Sequence, residues 1–230
     1  MNKAEREEHL KQKLEEMLTY ERKLWEAGIP YVAGVDEVGR GPLAGPVCAA
    51  CVVLPQGFDV IGVNDSKKLS EKKRKELYVL IVEKALAYGI GLIGNERIDE
   101  VNILNATKEA MLAAISGASA MLAAREGTPD MPPASEGAPA IGHLLVDAIK
   151  LSEAGIPGTA ITKGDEKSVS IAAASIVAKV TRDRIMTEFD SSFPGYGFAS
   201  NKGYGTEAHY AGIMAQGITS IHRKTFVRNI

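Results

Sequence analysis

The chain has 230 residues, of which 45% are hydrophobic and 24% charged, and its formal net charge is −2. These values are typical of a globular protein with one sizeable core, and they exclude a strongly basic or low-complexity chain. No apolar run approaches the ~18 residues that a membrane span needs, and the charged N-terminus does not resemble a secretory signal, so we expect a cytoplasmic protein without a membrane partner.

Hydrophobic periodicity predicts helices and strands through the first half of the chain. Leu10, Leu14 and Leu24 lie near helical spacing within residues 3–26, which indicates one amphipathic helix. The predicted elements that follow, in chain order, are strands at 31–35, 46–54 and near 60–63, a helix at 70–88, a strand at 89–98 and a helix at 102–116.

Residues 117–142 interrupt this pattern because they are dense in Ala, Gly, Pro and Ser, and they predict a loop with a short helical turn near 118–125. Strands at 143–148 and 159–162 and helices at 167–189 and 206–216 are predicted after it. The alternation predicts an α/β fold with a mixed sheet. We interpret residues 1–28 as a helical extension and 29–230 as one domain with an insertion at 117–142.

Carboxylates occur where two predicted strands end. Asp36 and Glu37 follow the first strand, and Asp147 follows the apolar run 144–146. Neighbouring carboxylates repel one another, and a divalent cation such as Mg²⁺ or Mn²⁺ relieves that repulsion. An exposed acidic turn is the commoner explanation of a bare Asp-Glu pair, and a capping or loop acid explains Asp147, so the pattern alone defines only a candidate metal site.

A fourth acid, Asp183, lies in the helix predicted at 167–189. It shares a helix face with Ile176 and Val180, which directs it toward the sheet. Arg182 and Arg184 flank it, so a surface charge cluster explains the same residues. Because no spacing rule brings the four acids together, both interpretations stay open.

A glycine–arginine–glycine run follows the first pair of acids. Gly39 and Gly41 permit a close approach of the backbone to a ligand, and Arg40 supplies a planar group of donors for phosphate. A plain hairpin turn is the alternative, which Pro42 and Gly45 also fit.

The chain resembles the ribonuclease HII family in seven motifs that occur in the family's order between about residues 31 and 227. The first is Ala33-Gly-Val-Asp-Glu-Val-Gly-Arg-Gly-Pro-Leu-Ala-Gly-Pro46. The others are Asp65-Ser-Lys-Lys-Leu-Ser70, Leu144-Leu-Val-Asp147, Lys163-Gly-Asp165, Ala172-Ala-Ala-Ser-Ile-Val-Ala-Lys-Val-Thr-Arg-Asp183, Lys202-Gly-Tyr-Gly-Thr206 and His222-Arg-Lys-Thr-Phe226.

The resemblance implies a ribonuclease H-like fold, with a mixed central sheet of about five strands flanked by helices. It implies one set of catalytic, metal-binding acids, namely Asp36, Glu37, Asp147 and Asp183. It also implies a set that recognises the junction between a ribonucleotide and the deoxynucleotide on its 3′ side, namely Gly39, Arg40, Gly41 and Tyr204. The 2′-hydroxyl is what separates RNA from DNA at such a junction.

The implied activity is hydrolysis of the RNA strand of RNA–DNA hybrids, including single ribonucleotides embedded in DNA, as ribonucleotide excision repair requires. The cut falls 5′ of the ribonucleotide and leaves 3′-hydroxyl and 5′-phosphate ends. We expect two divalent ions, Mg²⁺ or Mn²⁺, with the substrate bound. Candidate phosphate contacts, each of which also fits an ordinary solvated surface residue, are Ser66, Lys67, Lys68, Lys163, Lys167, Lys179, Lys202 and Arg223.

Other interpretations are a ribonuclease HIII-type enzyme, a non-catalytic hybrid-binding protein and a Holliday-junction resolvase. About thirty residues precede the first strand, fewer than the extra N-terminal domain of ribonuclease HIII needs. The four acids argue against a binding protein, and the Gly-Arg-Gly and Lys-Gly-Tyr-Gly motifs argue against a resolvase. Residues 117–142 are longer and richer in proline than we expect for ribonuclease HII. We expect a monomer, and the sequence leaves a sliding clamp open as a partner.

Overall fold

A computed structural model describes residues 2–125 and 140–228. Its helices and strands, in chain order, are α1 (Lys3–Met17), α2 (Thr19–Glu26), β1 (Val32–Val38), β2 (Val47–Val53), α3 (Glu71–Lys84), β3 (Ala87–Ile93), α4 (Asn95–Ala123), β4 (His143–Asp147), β5 (Gly158–Ile161), α5 (Val169–Ser192), α6 (Phe198–Asn201) and α7 (Glu207–Gln216). Among these described residues, no helix is long and apolar enough to cross a membrane.

The strands form one sheet in the order β3-β2-β1-β4-β5. β1 pairs antiparallel with β2 and parallel with β4, while β2–β3 is antiparallel and β4–β5 is parallel. This confirms the predicted mixed sheet of five strands. Since β1 lies at its centre and has a parallel neighbour, the C-terminal ends of β1 and β4 meet at one edge.

Helices cover both faces of the sheet, and β2 shows why. Successive side chains of a strand point to opposite faces. Cys48, Ala50 and Val52 accordingly belong to the core under α3 and α5, whereas Ala49 and Cys51 belong to the core under α4. All seven residues of β2 are buried, as expected for a strand with both faces covered.

Several predicted boundaries are wrong. The helix predicted at 3–26 is divided at Leu18 into α1 and α2, and residues 60–63 form no strand but contain a turn at 61–62. The helix predicted at 102–116 begins at Asn102, where two helices join across a kink to form α4. It continues through the start of the predicted loop, because Ala114, Ala118 and Leu122 keep a buried stripe at helical spacing. The remainder of that predicted loop at 126–139 lies outside the described residues.

The N-terminal helices dock on the start of α5. Glu21 of α2 is 1% exposed, and its Oε1 accepts hydrogen bonds from the hydroxyls of Ser168 and Ser170 and from the Ser170 N–H. A carboxylate at this position satisfies free N–H groups and opposes the positive end of the helix dipole. The division into an extension at 1–28 and a domain at 29–230 stays a prediction.

Candidate active site

Three acidic residues lie at one edge of the sheet. The paired residues of the parallel strands β1 and β4 end with Val35 opposite Val146. Asp36 and Asp147 are therefore neighbours at the C-terminal ends of adjacent strands, and Glu37 follows on β1. The structure thus places these three acidic residues on neighbouring strands at one edge of the sheet, and Asp36 is only 5% exposed there.

This crowding shifts the pKa values of the two acids on β1. Burial and the charge of Glu37 raise the pKa of Asp36 well above its ordinary value, a hydrogen bond with Ser175 opposes the rise, and the charge of Asp147 adds to it. Burial also raises the pKa of Glu37 against the opposing charge of Arg40, and Asp147 adds to this rise too. Anions that destabilise one another in this way form a site that a cation would stabilise.

Each of these carboxylates has a local partner. Arg40 Nη1 lies 3.4 Å from Glu37 Oε1, and the Gly164 N–H donates a 2.7 Å hydrogen bond to Asp147 Oδ1. The Glu37 N–H donates a 2.7 Å bond to Asp36 Oδ1. Within residues 2–125 and 140–228, no three acidic, histidine or cysteine side chains are gathered closely enough to hold a metal ion. The assignment of the acids as metal ligands therefore stays a prediction.

The chemistry of these oxygens nevertheless suits a divalent cation. Glu37 Oε2 is buried, and no described residue forms a hydrogen bond with it. A buried anionic oxygen without a partner is costly unless a donor or cation reaches it. Carboxylate oxygens are the ligands that Mg²⁺ and Mn²⁺ prefer, so the donor set fits the predicted metal.

The fourth predicted acid, Asp183, is paired on its own helix. It lies on α5, which packs against β1, and its side chain is 16% exposed. Lys179, one turn earlier, donates a 2.8 Å hydrogen bond to Asp183 Oδ1. The alternative of a surface cluster with Arg182 and Arg184 is wrong, because Arg182 is completely buried.

The glycine–arginine–glycine run belongs to the segment between β1 and β2, residues 39–46, which we call the recognition loop. Arg40 and Gly41 are exposed. Tyr204 is 43% exposed, and a Cβ built on Gly41 would lie 3.6 Å from its Cε1. The predicted junction-recognising residues are therefore brought together, and Arg40 joins them to the acids through Glu37.

The candidate phosphate contacts are placed differently from one another. Lys67 is exposed and lies 4.0 Å from Asp165, and exposed Lys163 has a left-handed backbone with φ of 56°. Ser66 is buried and bonded to Ser175 at 2.9 Å, so its hydroxyl is turned inward. The remaining lysines have partners within the protein, namely Lys68 with Glu166, Lys167 with the Thr162 carbonyl, Lys179 with Asp183, and Lys202 with the Ala199 carbonyl and Thr187.

Three residues of the site had no role in the sequence-based hypothesis. Asp65 and Asp165 are both 6% exposed, and burial together with the charges of Asp65 and Asp147 raises the pKa of Asp165 to about 6. Ser175 joins Ser66 to Asp36. All three occur within the quoted motifs, but no local pattern distinguishes them from loop acids and an ordinary helix serine.

A family model and a relative of known activity both match this chain to the same family. The family model described as ribonuclease HII matches residues 33–229. A ribonuclease HII of Ruminiclostridium cellulolyticum is 50% identical over 228 residues, which are 99% of this chain and 81% of the relative. The match therefore includes the N-terminal helices as well as the sheet.

Solved structures share the fold. The ribonuclease H2 of Pyrococcus horikoshii superposes with a TM-score of 0.65 at 26% identity, over 85% of this chain and 93% of that one. The ribonuclease HII of Archaeoglobus fulgidus, solved in complex with PCNA, gives 0.63 at 24% identity over 86% and 95%. Bst-RNase HIII in complex with Mn²⁺ gives 0.55 at 20% identity over 82% and 63%. The predicted ribonuclease H-like fold is confirmed.

Proposed function

The chain belongs to the ribonuclease HII family, and from that premise we propose that it incises duplex DNA at single embedded ribonucleotides. Family membership makes it an endoribonuclease that hydrolyses the RNA strand of RNA–DNA hybrids and leaves 5′-phosphate ends. In our proposal the cut falls 5′ of the ribonucleotide and leaves a 3′-hydroxyl. The observation that carries the proposal is that the recognition loop lies beside Tyr204 at Gly41 and beside Glu37 of β1 at Arg40.

Recognition of the junction rests on exposed groups around Gly41. The ring of Tyr204 offers a surface on which a deoxyribose can stack, because that sugar has no 2′-oxygen in the way. The Arg40 guanidinium, 45% exposed, offers a fork of donors to the neighbouring phosphate. Since Arg40 also lies beside Glu37, a phosphate bound by Arg40 would lie close to the acids.

The acids provide the second half of the proposal. Asp36, Glu37, Asp147 and Asp183 would hold two divalent ions, which when bound activate a water for in-line attack on phosphorus and stabilise the leaving oxygen. The orphaned Glu37 Oε2 and the raised pKa of Asp36 support this, as does the Mn²⁺ in the solved ribonuclease HIII relative. The Gly164 N–H fixes the direction of Asp147 through its 2.7 Å hydrogen bond.

A labelled DNA duplex with one ribonucleotide tests both halves. In Mg²⁺ or Mn²⁺ the wild type should produce one nick 5′ of the ribonucleotide, whereas Asp36→Asn should bind the duplex but leave it uncut. Asp59→Asn is the matched control, because this exposed carboxylate is paired with Lys84. An active Asp36→Asn enzyme would contradict the assignment of the acids.

The same assay separates the alternative functions. Cleavage of a uniform hybrid without cleavage of the embedded ribonucleotide would indicate ribonuclease HIII-type specificity. Binding of both duplexes without a nick in either would indicate a hybrid-binding protein. For partners, the archaeal complex with PCNA makes a sliding clamp a protein to test by pull-down, and gel filtration tests the proposed monomer.

A further inference from the structure

Two arginine side chains are completely buried beneath the recognition loop. Arg182 on α5 and Arg223 after α7 are each 0% exposed, and they have the largest side chains among the fully buried residues. A buried guanidinium is normally balanced by a carboxylate, because an isolated buried charge is costly. In the described part of the chain neither forms an ion pair with a carboxylate, so these two residues, which we call the inner arginines, need another explanation.

The hydrogen bonds of the inner arginines all go to backbone carbonyls. Arg223 donates to the carbonyls of Gly39 at 2.6 Å, Arg40 at 2.9 Å and Gly45 at 2.9 and 3.0 Å. Arg182 donates to the carbonyls of Pro46 at 2.9 Å, Lys202 at 2.8 Å and Ala44 at 3.2 Å. Five of these six carbonyls belong to the recognition loop, and the sixth begins the segment 202–206 that carries Tyr204.

The loop lies so close to these guanidinium groups that glycine is required. A Cβ on Gly39, whose φ is 92°, would lie 2.2 Å from Arg182 Nε. A Cβ on Gly203, whose φ is 85°, would lie 2.5 Å from the Ala44 carbonyl oxygen. The two segments are therefore packed against each other over the inner arginines, with no space for a side chain between them.

The direction of the carbonyls determines what the loop presents to solvent. With five loop carbonyls turned inward, the exposed residues Arg40 and Gly41 present their N–H groups, which donate to no described residue. Burial lowers the pKa of Arg223 to about 9, which still leaves it charged at neutral pH. N–H groups and buried positive charge together favour an anion at this surface.

We propose that Arg182 and Arg223 are positioning residues for recognition of the ribonucleotide junction, a role that rests on the proposed function. They hold the recognition loop and the segment 202–206 in one relative geometry, so that Arg40, Gly41 and Tyr204 meet the same nucleotide. Arginine suits this task because its planar group has five donors in a fixed arrangement, whereas lysine has three on a flexible stem. A hydrophobic side chain could fill the same space but could not orient the carbonyls.

Arg223→Lys and Arg182→Lys test the proposal because each keeps the charge and loses the planar donors. We expect kcat/KM for a duplex with one ribonucleotide to fall by about tenfold to hundredfold relative to the value for a uniform hybrid, the range for one misplaced recognition contact. Most of the change should be in KM for the embedded ribonucleotide, since the acids are unaltered.

A stability control separates positioning from simple support of the fold. Met111→Ala removes a fully buried side chain of α4 on the opposite face of the sheet, so it lowers stability without contact with the loop. Circular dichroism and thermal unfolding identify the variants that fold, and either arginine variant suffices. Equal losses on both substrates, matching those of Met111→Ala, would overturn the proposal.

The outcome for the wild type distinguishes the two proposals. If the wild type leaves the embedded ribonucleotide uncut, the proposed function fails and the positioning role fails with it. If the wild type cuts it and both lysine variants keep the wild-type ratio of kcat/KM values, only the positioning role is overturned. A lowered ratio in either folded lysine variant, with a wild-type ratio in Met111→Ala, supports it.

Discussion

Replacing Glu21 by alanine should destabilise the protein by about 3 kcal/mol, although the residue lies in the N-terminal helices. Its carboxylate accepts three hydrogen bonds of 2.6, 2.6 and 3.0 Å from Ser168 and Ser170 at the first turn of α5. Hydrogen bonds to a buried charge contribute roughly 1.5–3 kcal/mol each but are not additive. The helix dipole contributes up to about 2 kcal/mol more. Burial of the unpartnered Oε2 offsets part of this gain.

Urea unfolding followed by circular dichroism measures the change. A loss of about 3 kcal/mol corresponds to a fall of roughly 6–12 °C in the thermal midpoint of a chain this long. Glu21→Gln keeps an acceptor without the charge and should lose about half as much. Amide exchange at the start of α5 should accelerate in both variants, because the first turn loses its cap.

Glu26→Ala is the control, since Glu26 is exposed on the same helix and its loss removes a similar side chain. We expect it to remain within about 0.5 kcal/mol of the wild type, as surface substitutions usually do. The reasoning is refuted if Glu21→Ala is as stable as Glu26→Ala.

Three further outcomes follow from the structure. In metal-free buffer Asp36→Asn should be more stable than the wild type at neutral pH, because the pKa of Asp36 is raised and its ionisation therefore destabilises the folded protein as the pH rises. Added Mn²⁺ should raise the thermal midpoint of the wild type more than that of the variant. Burial lowers the pKa of His222 from 6.5 to about 4, and its Nε2 lies 3.0 Å from the Nε2 of His209. Protonation of His222 therefore opposes folding, and the urea concentration at the unfolding midpoint should fall as the pH drops from 6.5 toward 4. The same fall should be less steep in His222→Gln. Gly34→Ala should prevent folding, since the added Cβ would lie 2.0 Å from the backbone of α5. Gly57→Ala is the control and should yield folded protein, because the space around Gly57 is open. Equal yields of the two variants in a solubility assay would contradict this prediction.

The sequence predicted on which strands the acids lie, because those positions depend on local patterns. Acids at the ends of two apolar runs are visible in the sequence, and parallel pairing of β1 with β4 places Asp36 beside Asp147. Helix α4 was predicted too short because Gly117 and the small residues around it are typical of a loop. In the structure Gly89 of β3 has no side chain, and this lets the backbone of α4 pack directly against the strand. A Cβ on Gly89 would lie 2.1 Å from the Ala114 carbonyl oxygen.

The buried polar groups could not be predicted in this way. Charged residues are usually exposed, so Arg182 was interpreted as part of a surface cluster and Arg223 as a phosphate contact. Both are buried because carbonyls from sequence-distant segments converge on them, and no local pattern records that convergence. The same holds for Asp65 and Asp165, which lie 100 residues apart in the chain and interact only after folding.

Helix α5 connects the separate parts of the site mechanically. Its first turn is capped by Glu21, Ser175 bonds to Asp36, and Arg182 holds the recognition loop. Ser175 and Arg182 are seven residues apart, which is about two turns and roughly 10 Å along one helix face. Because a packed helix moves as a rigid unit, we expect a shift at its start to displace Ser175 and Arg182 together. Displacements near 1 Å can cost about a hundredfold in rate, so we expect Glu21→Ala to lower the rate of cleavage as well as the stability of the protein.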